Sequence, residues 1–265
     1  MAGRLDGKRV AVIGAGSVGP GWGNGKAAAA LFAREGGKVL CVDRNGDAAE
    51  ETASLIRAEG NIAFAHAADA TNPEAVRATI DAAERHLGGL DVLHVNIGIS
   101  KAGGIEATSL DDWKAVFAVN LDAAFQLVQA ALPLLEEGGG SIVFVSSLAA
   151  VQSGPYAYVG YEVSKAALCR LSRSIAMEYA ARGVRCNTVL PGMIDTPHVQ
   201  AFIAGGVAPE ELAARRAAQV PMKRQGSAFD IAEAALFLAS DAAGFITGVD
   251  LRVDGGMGLL AATSS

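Results

Sequence analysis

The chain has 265 residues, 51% of them apolar and 19% charged, enough apolar material for a large core and too little charge for a disordered protein. Its net charge of −6 argues against a nucleic-acid binder, whose affinity comes mainly from basic neutralisation of phosphates. Cys41, Cys169 and Cys186 sit in apolar runs without paired spacing, and His66, His86, His94 and His198 have no partner at ligand spacing, so reduced thiols in a cytoplasmic protein are expected and a metal site is not.

Lys8-Arg9 leads into a short strand, Val10–Ile13, and then into Gly14-Ala-Gly-Ser-Val-Gly-Pro-Gly-Trp-Gly-Asn-Gly25. An alanine-rich helix from Lys26 to Glu35 follows, closed by Gly36-Gly37. Strand, glycine loop and helix in that order form a phosphate-cradling unit of a dinucleotide fold. Glycines let the backbone approach a pyrophosphate, and the helix amino terminus favours an anion. The next strand, Lys38–Val42, ends at Asp43, eighteen residues past Gly25, where a ribose-binding acid belongs in such a fold. A carboxylate there accepts ribose hydroxyls and repels a 2′-phosphate, which favours NAD. Arg44 beside it leaves NADP open.

A helix over Ala48–Glu59, a strand over Ala63–Ala67 ending near Asp69, and a helix over Pro73–Leu87 follow. A fourth strand, Leu90–Asn96, runs into Gly98, and a helix from Leu110 to Leu135 is expected to be irregular around Asn120. The run Ser141–Ser147 reads as a buried strand, and from about Ala157 the pattern turns helical, with Val163, Ala166, Ala167 and Leu171 spaced to face the core. Val184–Leu190 supplies a strand ending in Pro191-Gly192. Residues 195–220 are polar and alanine-rich and read as a helical substrate lid. A helix over Ala228–Ala239 and a strand over Asp250–Asp254 complete the chain. The alternation predicts one domain over residues 1–265, a single Rossmann-like, doubly wound parallel α/β sheet with helices on both faces. No apolar run approaches the ~20 residues that span a bilayer, so no membrane contact is expected.

On the helix after the Ser141 strand, Tyr161 and Lys165 stand four residues apart and share a face. Ser147, at the carboxyl end of the strand, is expected to point into the same crevice. A phenol near pKa ~10 needs its anion stabilised to act as a base at neutral pH, and a nearby ammonium would do that. Taken alone, such a pair reads more readily as a half-buried helix tyrosine beside a solvated lysine.

Together, the glycine loop, Asp43, Asp69, Asn96-Ile-Gly98, Asn120, Ser147, Tyr161-x-x-x-Lys165, Pro191-Gly192, Ile246-Thr-Gly248 and Val253-Asp-Gly-Gly256 resemble the short-chain dehydrogenase/reductase family over essentially the whole chain. The resemblance implies that Tyr161 is the general acid/base, that Lys165 lowers its pKa and bonds the nicotinamide ribose, and that Ser147 holds the substrate oxygen. It implies that Asn120 positions a water in a proton relay. Asp69 and Ala70 would lie at the adenine, Asn96 and Gly98 along the cofactor, and Ile194 and Thr196 at the carboxamide, with Pro191 and Gly192 before them. Gly14, Ser17, Gly23, Asn24 and Gly25 would hold the pyrophosphate, with Asp43 and Arg44 at the ribose. A homotetramer acting on a small alcohol or ketone is implied as well.

The chain departs from the family pattern in three places. Gly14 and Gly23 stand nine apart where members usually show four, so five extra residues including Pro20 and Trp22 are expected to fold over the pyrophosphate, with Gly23 and Gly25 nearest the helix. The usual Asn-Asn-Ala-Gly appears as Val95-Asn-Ile-Gly98. The stretch from Ser147 to Tyr161 is one residue longer than usual, which keeps Ser146 in view as the substrate-binding serine. A 3-oxoacyl-thioester (acyl-carrier-protein) reductase is an alternative that Asp43 disfavours. An enoyl reductase would space its tyrosine and lysine further apart, and a non-catalytic nucleotide sensor would not need the intact Ser–Tyr–Lys set.

Overall fold

The computed structural model describes residues 2–153, 157–202 and 207–260. Each expected strand is present within a residue or two: β1 (Arg9–Ile13), β2 (Lys38–Asp43), β3 (Ala63–Ala67), β4 (Val92–Val95), β5 (Ser141–Val145), β6 (Arg185–Pro191), and, after the two-residue β7 (Ile194–Asp195) and β8 (Gly226–Ser227), β9 (Asp250–Val253). β7 and β8 pair with each other, a small sheet inside and just after the stretch expected to lack strands. The other seven form one parallel sheet in the order β3-β2-β1-β4-β5-β6-β9. Every residue of β4 and β5 is buried, as a parallel sheet covered on both faces requires.

On one face lie α1 (Asn24–Arg34), α2 (Gly46–Ala58) and α9 (Ala228–Ala239), packed over Val10, Val12, Val39 and Cys41. α1 meets α9 through Ala27, Ala29, Ala30, Ala232 and Ala235, all fully buried. Small side chains let the two helix backbones come close. The opposite face carries α3 (Pro73–Leu87), α5 (Ala123–Glu136) and α6 (Val159–Tyr179) over Ala11, Ile13, Leu93 and Phe144.

The helix from Leu110 behaves as the pattern suggests: α4 (Leu110–Phe117) passes through a π-helical turn, Ala118–Asp122, into α5. Ala123 N–H reaches back five residues to the Ala118 carbonyl. One expectation is corrected here. The rod Leu110–Glu136 is 27 residues long and contains an 18-residue stretch with a mean hydropathy of 1.5, so by length and composition it could cross a membrane. It packs instead against α3, α6 and β4, and its apolar character serves the core.

The buried side of α6 is a second correction. Val163 is 42% exposed and Ala166, Ala167 and Leu171 are half-buried. The buried stripe is Gly160, Ser164, Leu168, Cys169, Ser172, Ile175 and Ala176. Small polar residues take some of the buried positions because their hydroxyls find partners: Ser164 Oγ donates to the Tyr161 carbonyl at 2.8 Å and accepts from Asn120 Nδ2 at 2.9 Å. α7 (Pro197–Phe202) and α8 (Pro209–Gln219) stand over the carboxyl ends of the strands, and residues 203–206 lie outside the described part.

Candidate active site

The strand order reverses between β1 and β4, and parallel sheets bind ligands in the crevice that opens there, beyond the strands' carboxyl ends. A cleft of about 550 Å³ occupies that place. At one end, β1 turns at Gly14 (φ +80°) into the glycine loop, and α1 begins after Gly23 with no side-chain cap and no acid in its first turn. Its first N–H groups are left to a ligand or solvent, and its dipole is unopposed. Gly14, Ser17, Gly23 and Asn24 line the cleft. Gly25 does not. It lies behind Gly14, where a β-carbon would stand 1.8 Å from the Gly14 carbonyl oxygen.

The extra loop residues also depart from expectation. Pro20, Gly21 and Trp22 are not part of the cleft wall. Gly21 lies toward Pro197 at the start of α7, and the Trp22 ring packs edge-on against Phe229 of α9, 5.0 Å between centroids. Lys26 and Arg34 hold their cationic ends 5.6 and 5.9 Å from the Trp22 ring. A large apolar ring gains more from that packing than from a polar phosphate groove.

Asp43 lines the cleft at the end of β2. Its Oδ2 accepts from Gly16 N–H at 2.9 Å and its Oδ1 from Asn45 N–H at 3.0 Å. Arg44, Asp69, Ala70 and Asn96 line the same wall. The backbone N–H and hydroxyl of Thr71 hold the Asp69 carboxyl below its ordinary pKa, with the nearby Arg44 charge helping. Asn96 Nδ2 donates to the Gly14 carbonyl at 3.4 Å.

At the other end, Ser147, Tyr161 and Lys165 share the cleft with Gly98, Pro191, Gly192, Ile194 and Thr196. The Ser147 hydroxyl lies close enough to the Tyr161 phenol to favour its anion and accepts from Ala149 N–H at 3.2 Å. Ser146 is occupied elsewhere: its buried hydroxyl donates to the Lys165 carbonyl at 2.8 Å. Both serines line the cleft, and of the two the Ser147 hydroxyl is the one not donated to a main-chain carbonyl. Lys165 is 3% exposed. Its Nζ donates to the carbonyls of Ile97 at 3.2 Å and Val145 at 3.0 Å, and lies 5.8 Å from the Tyr161 ring centroid. Gly98 packs close to this lysine: a β-carbon there would stand 3.0 Å from that Nζ, which would have to shift slightly. Burial lowers the Lys165 ammonium to about 8. Burial also raises the Tyr161 phenol above its usual value, and the Ser147 hydroxyl pulls it partly back. The downward pull expected from Lys165 is not among the causes that act on the phenol in the chain alone, where loss of water dominates.

Asn120 is not in the cleft wall. The π-turn buries it (1% exposed), and its side-chain amide accepts from Ile99 N–H at 2.8 Å and donates to the Ile99 carbonyl at 3.0 Å and the Ser164 hydroxyl at 2.9 Å. Its side chain ties the segment after β4 to α6, using both amide hydrogens and one of the two acceptor positions of its oxygen. The polar residues Gln152, Tyr158 and His198 also line the cleft, while Tyr156 lies outside the described residues. Sequence reasoning missed Arg216 of α8, a buried cleft residue. A charged residue on an alanine-rich lid helix reads as solvated, and no local signal says otherwise.

A family model described as enoyl-(acyl carrier protein) reductase matches residues 20–258. The chain is 40% identical over 260 residues to 2,5-dichloro-2,5-cyclohexadiene-1,4-diol dehydrogenase of Sphingobium indicum, covering 97% of this chain and 98% of that one. The crystal structure of a short-chain dehydrogenase/reductase from Burkholderia xenovorans superposes with a TM-score of 0.92 at 39% identity, covering 98% of this chain and all of that one. The chain belongs to the short-chain dehydrogenase/reductase family. It is an NAD(P)-dependent oxidoreductase of that family. A further short-chain relative, D-threitol dehydrogenase of Mycolicibacterium smegmatis, is 36% identical over 256 residues, 96% of this chain and 94% of that one. The residues present fit the dinucleotide the family uses. An uncapped helix amino terminus, a carboxylate at the end of β2 and a buried lysine donor are all presented to one cleft.

Proposed function

We propose that the protein is an NAD-preferring dehydrogenase that oxidises a secondary hydroxyl of a small, polar hydroxy compound and reduces the matching ketone. The observation that supports it most is the convergence of Ser147, Tyr161 and Lys165 on one cleft whose far end carries Asp43. Two relatives named as dehydrogenases of polyhydroxy compounds, one of a chlorinated cyclohexadienediol and one of the four-hydroxyl sugar alcohol threitol, point to the same class. In this reading residues 1–265 act as one domain, and residues 195–220 cover the substrate.

Ser147 holds the substrate oxygen, and Tyr161 accepts the hydroxyl proton as the carbon–oxygen bond gains double-bond character. When bound, the nicotinamide takes the hydride that leaves the same carbon. Lys165 orients a ribose hydroxyl and favours the phenolate once it is charged. Asn120 acts as a positioning residue through Ile99 and α6. Asp43 meets the adenosine ribose, where its charge disfavours a 2′-phosphate. A homotetramer fits the exposed apolar side chains Phe125, Val163 and Met177, and a cytoplasmic location fits the three free, buried thiols. The alternative of an acyl-thioester reductase draws on the family model's description but meets Asp43, which disfavours the NADPH that goes with it.

Tyr161→Phe keeps the ring and removes the proton carrier, so turnover is expected to fall by about two to four orders of magnitude with NADH affinity within about twofold. Steady-state rates on a panel of diols and hydroxy compounds, read at the reduced-nicotinamide band, check this. Near-normal turnover by the variant would remove Tyr161 from the mechanism. Tight NAD binding without turnover on any compound would favour the sensor.

A further inference from the structure

α8 carries two adjacent arginines with opposite fates. Arg215 is exposed and pairs with Glu211 one turn earlier. Arg216 is 5% exposed and lines the cleft. Its Nε donates to Gln225 Oε1 at 2.5 Å and its Nη2 to the Ile194 carbonyl at 3.4 Å. Both partners are neutral, and among the described residues no carboxylate forms an ion pair with it. A guanidinium has five N–H donors, so most of its donor capacity is uncommitted. Burying a cation among neutral groups is costly unless an anion completes the site.

That anion has to come from a ligand, and the position of Arg216 says which. Ile194, whose carbonyl Arg216 holds, follows β6, the neighbour of β5 that leads to Ser147. The glycine loop follows β1, two strands away from β5. Arg216 therefore belongs to the Ser147–Tyr161 end of the cleft, on the helix that covers it. We propose that Arg216 is a specificity-determining residue that binds an anionic group of the substrate, a carboxylate, sulfonate or phosphate on the carbon chain beyond the reacting hydroxyl. The planar fork of arginine suits two oxygens of such a group at once. The proposal rests on the dehydrogenase reading above and narrows it from polar hydroxy compounds to anionic ones. Arg216 takes no part in the transfers themselves, in which the carbon loses a hydride to the nicotinamide and the hydroxyl proton passes to Tyr161.

The test compares matched pairs that differ only in charge: 3-hydroxybutanoate with 3-hydroxybutanamide, and 4-hydroxypentanoate with its amide. The natural chain, Arg216→Gln and Arg216→Lys are assayed with NAD in excess. The ratio of kcat/KM, anionic over neutral, is expected to favour the acids in the natural chain. It should fall about 30-fold or more in Arg216→Gln and be partly restored in Arg216→Lys. An equal fall for acids and amides would make Arg216 a support for Ile194 and overturn the proposal. A loss of NADH affinity with the acid-to-amide ratio unmoved would assign the guanidinium to the cofactor pyrophosphate and also overturn it. A second arm needs no turnover: butanoate, propanesulfonate and butanamide are titrated by calorimetry into NADH-saturated protein. Binding of the two anions, but not the amide, that disappears in Arg216→Gln supports the proposal even if no alcohol is oxidised, in which case only the dehydrogenase reading fails. Anion binding equal in both proteins, or absent from the natural chain, refutes it.

Discussion

Gly25→Ala is the smallest change that should damage both stability and cofactor binding. Gly25 is the second residue of α1, and a β-carbon there would stand 1.8 Å from the Gly14 carbonyl oxygen and 2.8 Å from Asn96 Nδ2. A relaxed carbon–oxygen contact is about 3.3 Å, so helix and strand end must separate by roughly 1.5 Å. α1 has nowhere to go, because Ala27, Ala29 and Ala30 on it are fully buried against the sheet and α9, and packed interiors have little slack. The obstacle is backbone, so the cost lies at or above the top of the usual overpacking range, about 3 kcal/mol. Alanine's better helix propensity returns at most about 1 kcal/mol. With an unfolding entropy of about 2.1 cal/mol/K per residue, a chain this long loses roughly one degree of Tm per 0.5 kcal/mol. The net expectation is a Tm lower by about 4–6 °C. NADH affinity should fall tenfold or more, since the displaced parts, Gly14 and the start of α1, form the phosphate end of the cleft. The control is Gly138→Ala, where a β-carbon meets nothing within 4 Å and Tm should hold. Thermal melts followed by circular dichroism and NADH fluorescence titrations measure both effects. A Gly25→Ala protein melting within a degree of the natural chain would refute the packing argument.

Asp43→Ser removes the charge that would repel a 2′-phosphate and leaves Arg44 to pair with it. The kcat/KM ratio of NADP over NAD should rise by about tenfold or more, and an unmoved ratio would clear Asp43 of discrimination. His94 of β4 is fully buried with both ring nitrogens unpaired, stacked edge-on near Phe32, and burial lowers its pKa to about 4 from 6.5. Between those values the unfolded chain binds a proton that the folded chain excludes, so stability is full above about 6.5 and falls as the pH drops toward 4. The loss is on the order of 3 kcal/mol at the acid end. His94→Leu should therefore gain stability over the natural chain as urea unfolding is repeated from pH 7 down to 4.5, and parallel losses in the two proteins would refute this.

Local features were readable because they are written in short stretches. The strand–glycine–helix unit, the acid ending β2, the four-residue spacing of Tyr161 and Lys165, and even the irregularity at Asn120 depend on neighbours a few residues away. Apolar periodicity was less dependable, and α6 shows why. The sequence marks Val163 and Leu171 as core, yet Ser164 and Ser172 are the buried residues, since a hydroxyl bonded locally can be buried at low cost. The same limit applied to Gly25, read as a phosphate contact though it serves close packing on Gly14, and to Trp22, read as part of a phosphate flap though it rests on Phe229.

From the sequence alone, then, came the fold class, the family and the meeting of Ser147, Tyr161 and Lys165 at one cleft, because each is carried by local pattern and by the order of motifs along the chain. What the tertiary structure alone decided is which of those residues face the cleft and what else joins them. Ser146 turned to the Lys165 carbonyl nineteen residues on, Asn120 was spent on Ile99 and on Ser164 forty-four residues away, and Arg216 was buried by Gln225 and by Ile194, twenty-two residues back. Those partners are set by how helices seat on the sheet, and a charge whose burial depends on a distant carbonyl looks, in one dimension, the same as one in water.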